Sequence, residues 1–329
     1  MSVASKPRVR VITTGGTIAG KQQPSGTVAP GLGPGELLDR IPMVRDYVEC
    51  EVDGWLEVPS NAIGFPEMLD LARRVTDALA DPYLAGVVIT HGTGTLEQTA
   101  HFLDVTLGHE RPVVVTGALR NPTQPSDDGP ANLLHAIQVA ACERARGLGV
   151  LVVMNGTIHC ARDVTKTNPA NPAAFQSPEF GPLGAVDEDY VFFARRPFRR
   201  LRAVLPATIG ARVERVPFAA DPSDTLLRAA IEGGADGLVV EFGRLNASYV
   251  ELLKGAMARG VTVVVANPYP TGRLQRNTYR HEGGESHLLS LGMIFAGTSG
   301  LKARVKLVAL LSAGLSREEI RDLFHAEWQ

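Results

Sequence analysis

Three groups of residues carry side chains able to attack a carbonyl or to take a proton. Thr17 lies in Thr13-Thr14-Gly15-Gly16-Thr17-Ile18-Ala19-Gly20, Thr93 in Thr90-His91-Gly92-Thr93-Gly94-Thr95, and Lys166 in Arg162-Asp163-Val164-Thr165-Lys166-Thr167-Asn168. A threonine hydroxyl is a weak nucleophile and needs a base close by. A partly desolvated lysine loses its proton more readily and can be that base. The threonine motifs follow the apolar runs Val9 to Thr14 and Gly86 to Thr90, and the lysine comes after a fourth such run, Gly149 to Met154. Ends of parallel strands gather residues distant in sequence, so the pattern predicts two hydroxyls and an amine at one sheet edge, facing one carbonyl.

The glycines around Thr17 leave room for a substrate and offer backbone N–H groups to an oxyanion. Two nucleotide readings of this segment fail. Gly15 to Lys21 has the spacing of a phosphate loop, but Gln22 stands where a magnesium-binding serine or threonine is required. A dinucleotide fingerprint fails because Thr17 occupies the place of its second glycine. Taken singly, the first motif also fits a glycine turn with Thr17 as a helix cap, and Lys166 fits an ion pair with Asp163. The combination carries the weight. His91 is expected to pack or hydrogen-bond within its motif, and Arg120 and Asp128 to shape neighbouring loops through ion pairs.

The elements that must position these groups are legible in the hydropathy pattern. Val9 to Thr14, Gly86 to Thr90, Pro112 to Thr116, Gly149 to Met154, Gly237 to Glu241 and Val261 to Ala266 are short runs rich in valine and isoleucine. Most are apolar throughout, as strands covered on both faces are. Helical patterns lie between them at Pro66 to Leu79, Leu96 to Leu107, Ala131 to Arg146, Asp224 to Glu232 and Ser248 to Arg259. The alternation predicts an α/β fold with a parallel sheet. Two amphipathic helices are expected at the end, Lys302 to Leu311 and Ser316 to Trp328, the second opened by Ser316 as N-cap with Glu318 and Glu319 behind it. The rhythm breaks over Phe193 to Pro206, where five arginines are interleaved with Pro197, Phe198 and Leu201. This stretch reads as a connection, dividing the chain into a larger N-terminal domain 1–195, a linker 196–212 and a smaller C-terminal α/β domain 213–329.

Composition limits the partners. The 329 residues, 44% hydrophobic and 21% charged, suffice for a large core. A net charge of -2 and a pI near 6.5 provide no field to gather phosphate backbones or anionic lipid, so neither nucleic acid nor membrane is an expected partner. No stretch approaches the roughly 18 uninterrupted apolar residues of a membrane helix, and no apolar run of a secretory signal precedes the first strand. A cytoplasmic location is expected. Cys50, Cys142 and Cys160 are too few and too widely spaced for a disulfide framework or a zinc site, and read as buried small hydrophobes.

Further ordered motifs accompany the first three: Ile89-Thr90-His91-Gly92-Thr93 continuing into Thr95-Leu96-Glu97, Gly117-Ala118-Leu119-Arg120, Asp128-Gly129-Pro130-Ala131-Asn132-Leu133, Gly181-Pro182-Leu183-Gly184 and Lys302-Ala303-Arg304. With them the chain resembles the bacterial-type L-asparaginases, including the asparaginase-glutaminases, over nearly its whole length. The resemblance implies two α/β domains, the larger flavodoxin-like, assembled as a homotetramer of intimate dimers. It implies hydrolysis of a small-molecule side-chain carboxamide with release of ammonia, using neither cofactor nor metal. Carried over, Thr17 is the nucleophile, and Thr93 with Lys166 is the second catalytic hydroxyl and its base. Ser60, in Pro59-Ser60-Asn61, matches the residue that holds the substrate's α-carboxylate, with Asn61, Gly92 and Gly94 around the ligand. Asn246, Glu282 and Glu285 are candidates to complete the site from a neighbouring subunit.

Three departures bear on substrate choice. Gly94 stands where the family carries an aspartate that binds the substrate's α-ammonium. Asn61 replaces a longer glutamine or an acid. The loop Lys21 to Pro30 is short and lacks the tyrosine that helps activate the nucleophile, Gly26 standing about there. Removing a carboxylate beside Lys166 makes the amine easier to deprotonate, so base chemistry survives. A buried substrate ammonium deprived of its counter-charge costs on the order of 3–5 kcal/mol, about two to four decades in binding. The expectation is retained amide hydrolysis with substrate choice moved toward an amide whose α-amine is acylated or absent, or toward a cyclic imide. The alternatives are continued turnover of L-asparagine and a binding protein that has lost turnover.

Overall fold

A computed structural model of the chain describes residues 5–197, 203–220, 223–241 and 245–328. The chain divides into two compact units, Met1–Arg199 and Arg200–Gln329. Arg195 and Arg196 donate to the carbonyls of Pro182 and Arg146, so the arginine-rich stretch begins as part of the first unit. Arg199, Arg200 and Arg202 lie outside the described residues.

The first unit is built on an eight-stranded sheet. Its parallel part comprises β1 (Arg8–Gly15), β2 (Glu49–Val58), β3 (Leu84–Thr90), β4 (Val113–Thr116) and β5 (Val150–Met154), in spatial order β2-β1-β3-β4-β5. This 2-1-3-4-5 order is that of the flavodoxin-like fold. The sheet continues antiparallel through β6 (Thr157–Cys160), β7 (Gly184–Asp187) and β8 (Tyr190–Phe193). The unit's longer helices are α1 (Phe65–Ala78), α2 (Leu96–Thr106) and α3 (Gly129–Ala141), and a short helix over Pro34–Asp39 adds Leu37 and Leu38 to the core. Helix α3 lays Leu133, Ala136, Ile137 and Ala140 on a face formed by Val9, Val11, Val88, Val114, Leu151 and Val153. Ile12, Val87, Ile89, Val115 and Val152 alternate with these and are equally buried, on the side where α1 and α2 pack. Phe65 and Phe102 join those two helices, their ring centroids 6.3 Å apart. Burial on both faces is why these strands are uninterrupted valine and isoleucine, each large side chain contributing about 1.5–3 kcal/mol.

The second unit holds a four-stranded parallel sheet in chain order, β9 (Val213–Val216), β10 (Gly237–Glu241), β11 (Thr262–Asn267) and β12 (Ile294–Ser299). Leu227 of α4 (Thr225–Glu232) and Tyr249, Val250 and Leu253 of α5 (Ala247–Ala258) pack with Leu238, Val240, Val263, Val265 and Phe295. The expected helix over Lys302 to Leu311 is α6 (Gly300–Ser312), but it is enclosed rather than amphipathic, with Lys302 and Lys306 only 3% and 7% exposed. Lys306 is accommodated by an ion pair with Glu327 at 2.5 Å and a bond to the Leu323 carbonyl. Helix α7 (Arg317–His325) opens as its sequence signals: the Glu319 N–H donates to Ser316 Oγ at 3.3 Å, and the Ser316 N–H to Glu319 Oε2 at 3.0 Å. Among the described residues no helix is long and apolar enough to cross a membrane.

Candidate active site

Strand order puts the two threonine motifs side by side. From β1 the chain passes to β2 on one side, then crosses to β3 on the other, so the C-terminal ends of β1 and β3 flank the topological switch point where open α/β sheets bind ligands. Thr17 opens a single 3-10 turn, Thr17–Ala19, just past β1, and Thr93 lies in the turn between β3 and α2. Thr13 pairs with Thr90, and the Thr14 hydroxyl donates to the Thr90 carbonyl at 2.9 Å. Beyond the strands the motifs touch through glycine backbone: a Cβ on Gly16 would fall 2.4 Å from Gly92 Cα, and Gly16 has φ +82°. Gly16→Ala is therefore expected to cost about 2–4 kcal/mol through clash and strain, read as a lower urea midpoint.

Thr93 is buried, and Lys166 Nζ donates to its Oγ1 at 2.8 Å. The lysine arrives by a different route from the one its spacing suggests. It follows antiparallel β6, not a parallel strand directly, and sits on the two-residue strand Thr165–Lys166 paired with Phe175–Gln176. Asp163 is engaged by Arg162 at 2.8 Å and by Arg195 at 3.9 Å, which leaves Lys166 to the threonine. Burial holds the Lys166 amine below its ordinary range, against the opposing field of Glu97. Thr17 is half-buried, and its hydroxyl makes no bond with a described residue. Nor do the N–H groups of Gly92, Thr93 and Gly94 donate to any described residue. Past the adjacent ends of β1 and β3 the described residues thus present a hydroxyl without a partner, a hydroxyl held by an amine, and N–H groups that donate to no described residue.

His91 hydrogen-bonds inside its motif, as its position suggests. Its Nδ1 lies 2.8 Å from the Gly92 carbonyl and its Nε2 3.0 Å from Thr99 Oγ1. Burial pushes its pKa down to about 4, so the ring is neutral at physiological pH, with Nδ1–H donating and Nε2 accepting. Asp128 works differently from the expected ion pair. Its carboxylate accepts from the N–H groups of Leu119 and Arg120 and from Asn132 Nδ2, while the Arg120 guanidinium donates to the Ser126 carbonyl.

Ser60 is buried at the start of a 3-10 turn, and a Cβ on Gly92 or Gly94 would fall 2.9 Å from its Cβ or Oγ respectively. Asn61 is exposed. The segment after Thr17 is a hairpin rather than an open loop, Gly20–Gln22 pairing with Val28–Pro30. In the second unit Asn246 caps α5, accepting from the Tyr249 N–H at 2.9 Å. Glu282 is exposed, whereas Glu285 is buried with its Oε2 unbonded to any described residue.

The sequence matches the family pattern described as "Asparaginase, N-terminal" over residues 8–199 and that described as "Glutaminase/Asparaginase C-terminal domain" over residues 212–324. The chain belongs to the asparaginase family. It is 37% identical to a probable L-asparaginase of Deinococcus radiodurans, covering 98% of each chain, and 34% identical to an L-asparaginase of Bacillus licheniformis, covering 96% of this chain and 98% of that one. A probable periplasmic L-asparaginase of Haemophilus influenzae is 32% identical over 98% of this chain and 94% of its own. As an asparaginase-family member the chain is an amidohydrolase, and its reaction is amide hydrolysis with release of ammonia from a small molecule.

Around this asparaginase-family site, three residues at the start of α2 carry contacts that the motif reading did not assign: Thr95 just before the helix, and Glu97 and Thr99 within it. Thr95 Oγ1 donates to the Ser60 carbonyl at 2.7 Å, Glu97 Oε2 accepts from the Lys166 N–H at 3.1 Å, and Thr99 meets His91. Their signal was an acid and two hydroxyls at the start of a helix, a pattern that local capping explains equally well.

Proposed function

We propose that the enzyme hydrolyses a side-chain carboxamide through an acyl-threonine on Thr17, and that its preferred substrate lacks a free α-ammonium or carries it masked. The observation that carries the chemistry is the 2.8 Å bond between Lys166 Nζ and Thr93 Oγ1, at an amine whose burial favours the neutral form. Thr17 Oγ1 bonds to the carboxamide carbon, and its proton passes to the nitrogen, which departs as ammonia. The free N–H groups of the Gly92–Gly94 turn hold the oxyanion. Water then adds to the ester, its proton taken through Thr93 to Lys166, and as the ester bond breaks that proton passes back to Thr17 Oγ1, freeing the acid and leaving Lys166 neutral again.

Substrate choice follows from position 94. Ser60 offers the substrate's carboxylate a hydroxyl, while Gly94 offers its ammonium nothing. Ammonia release from L-asparagine, succinamate and N-acetyl-L-asparagine tests this. One of the latter two is expected to exceed L-asparagine in kcat/KM by about tenfold or more, and L-asparagine as the best of the three by a wide margin would overturn the substrate assignment. That outcome would favour a second reading, in which the enzyme forms a homotetramer of intimate dimers and Glu285 of a neighbouring copy, its Oε2 free of described partners, supplies the missing charge, with Glu282 and Asn246 beside it. Light scattering of the purified protein reports the assembly. The three unpaired cysteines support a reducing, cytoplasmic setting.

A further inference from the structure

Gly94 leaves the turn that holds Thr93 without a carboxylate, yet Lys166 does not lack one. Helix α2 begins one residue beyond Thr95, and Glu97, in its first turn, reaches the strand that carries the lysine. The contact is specific: Glu97 Oε2 accepts the backbone N–H of Lys166 at 3.1 Å, while Lys166 Nζ reaches Thr93 at 2.8 Å. Two flanking residues do comparable work. Thr95 holds the Ser60 carbonyl and Thr99 holds the His91 ring, so the start of one helix ties down three separate segments of the crevice.

We propose that Glu97 is a positioning residue for the amide hydrolysis, fixing Lys166 against Thr93 through the lysine's peptide N–H while keeping one negative charge beside the amine. This rests on the catalytic reading above and deepens it. The charged surroundings of the lysine are simple. From α2 it faces Glu97, whose field favours the ammonium against the desolvation that lowers it. From the Thr93 turn it faces a hydroxyl, and from the paired strand Phe175 and Gln176 bring no charge. On its own segment Asp163 is paired with Arg162 and, at 3.9 Å, with Arg195.

The two parts of the role separate by substitution. Glu97→Gln keeps an oxygen that can accept the Lys166 N–H but removes the charge, whereas Glu97→Ala removes both. Measured as kcat/KM for ammonia release from the best of the three amides over about pH 5 to 10, the Glu97→Gln enzyme is expected to retain turnover. Its acid limb should move to lower pH by about 0.5–1, because the amine gives up its proton more easily without the neighbouring charge. Glu97→Ala is expected to lose about 10–100-fold in kcat with KM little changed. An unmoved limb in Glu97→Gln, or at least half the parent kcat in Glu97→Ala, would overturn the assignment. If Glu97→Ala fails to fold, the Gln profile alone decides. Lys166→Met distinguishes the levels: its inactivity beside two unchanged Glu97 variants refutes the Glu97 role alone, and full activity refutes the base assignment and the Glu97 role together.

Discussion

Thr17→Ala is expected to lower kcat by about four to six decades, the scale of losing a nucleophile that acts with its base as a unit. The folded protein should hardly notice. Thr17 is half-buried and its hydroxyl bonds to no described residue, so removing it opens no cavity and orphans no partner. A change in unfolding free energy within about 0.5 kcal/mol is the matching expectation. Large loss of rate with intact stability is what a reacting group shows and a structural cap does not. A reactive amide analogue should label the parent protein covalently, and mass spectrometry should find the adduct missing in the variant. A Thr17→Ala protein retaining about a hundredth of the parent rate would return the nucleophile to another residue, because oxyanion donors and binding alone do not supply so much. A parent protein that neither labels nor releases ammonia from any amide would instead mark a binding protein that has lost turnover.

What the sequence made legible here divides by physical cause. Strands β1, β3, β4, β5, β10 and β11 stood out because each is buried on both faces and therefore apolar at nearly every position. Strand β2 did not. Glu-Cys-Glu-Val-Asp-Gly-Trp-Leu-Glu-Val lies at a sheet edge with none of its residues fully buried, and its polar positions hide it from a search for apolar runs. The hairpin-like extension β6 to β8 escaped for another reason, since four-residue strands carry too little pattern to be told from turns. That omission is why Lys166 was expected directly after a parallel strand. The two threonine motifs were legible as glycine-rich turns just past strand ends, a pattern that a helix cap also fits when each is taken alone. The Thr93–Lys166 bond joins residues 73 apart in the chain and rests on the fold bringing them together. Glu97 was in plain view within Thr95-Leu96-Glu97, but an acid in a first helical turn already has a local explanation in the helix dipole. Only the approach of the lysine strand gives it a second one.

Gly94→Asp is expected to raise kcat/KM for L-asparagine by about two to four decades, the value of returning a counter-charge to a desolvated ammonium. The backbone permits it. Gly94 lies outside the left-handed region, and the one atom within reach of a new Cβ is Ser60 Oγ at 2.9 Å, the end of a rotatable side chain. Turnover of succinamate should fall or stay level, since that amide has no ammonium to meet the carboxylate. The added charge should also favour the ammonium of Lys166, so the acid limb of the rate profile is expected to move to higher pH, opposite to its movement in Glu97→Gln. The two shifts test one electrostatic account from both signs. If L-asparagine gains nothing while the limb moves, the carboxylate is in place but the ligand's ammonium is elsewhere, and the specificity change lies with Asn61 or with the short hairpin after Thr17. A limb that does not move would mean that position 94 does not face the lysine, which would remove the physical basis for linking Gly94 to substrate choice.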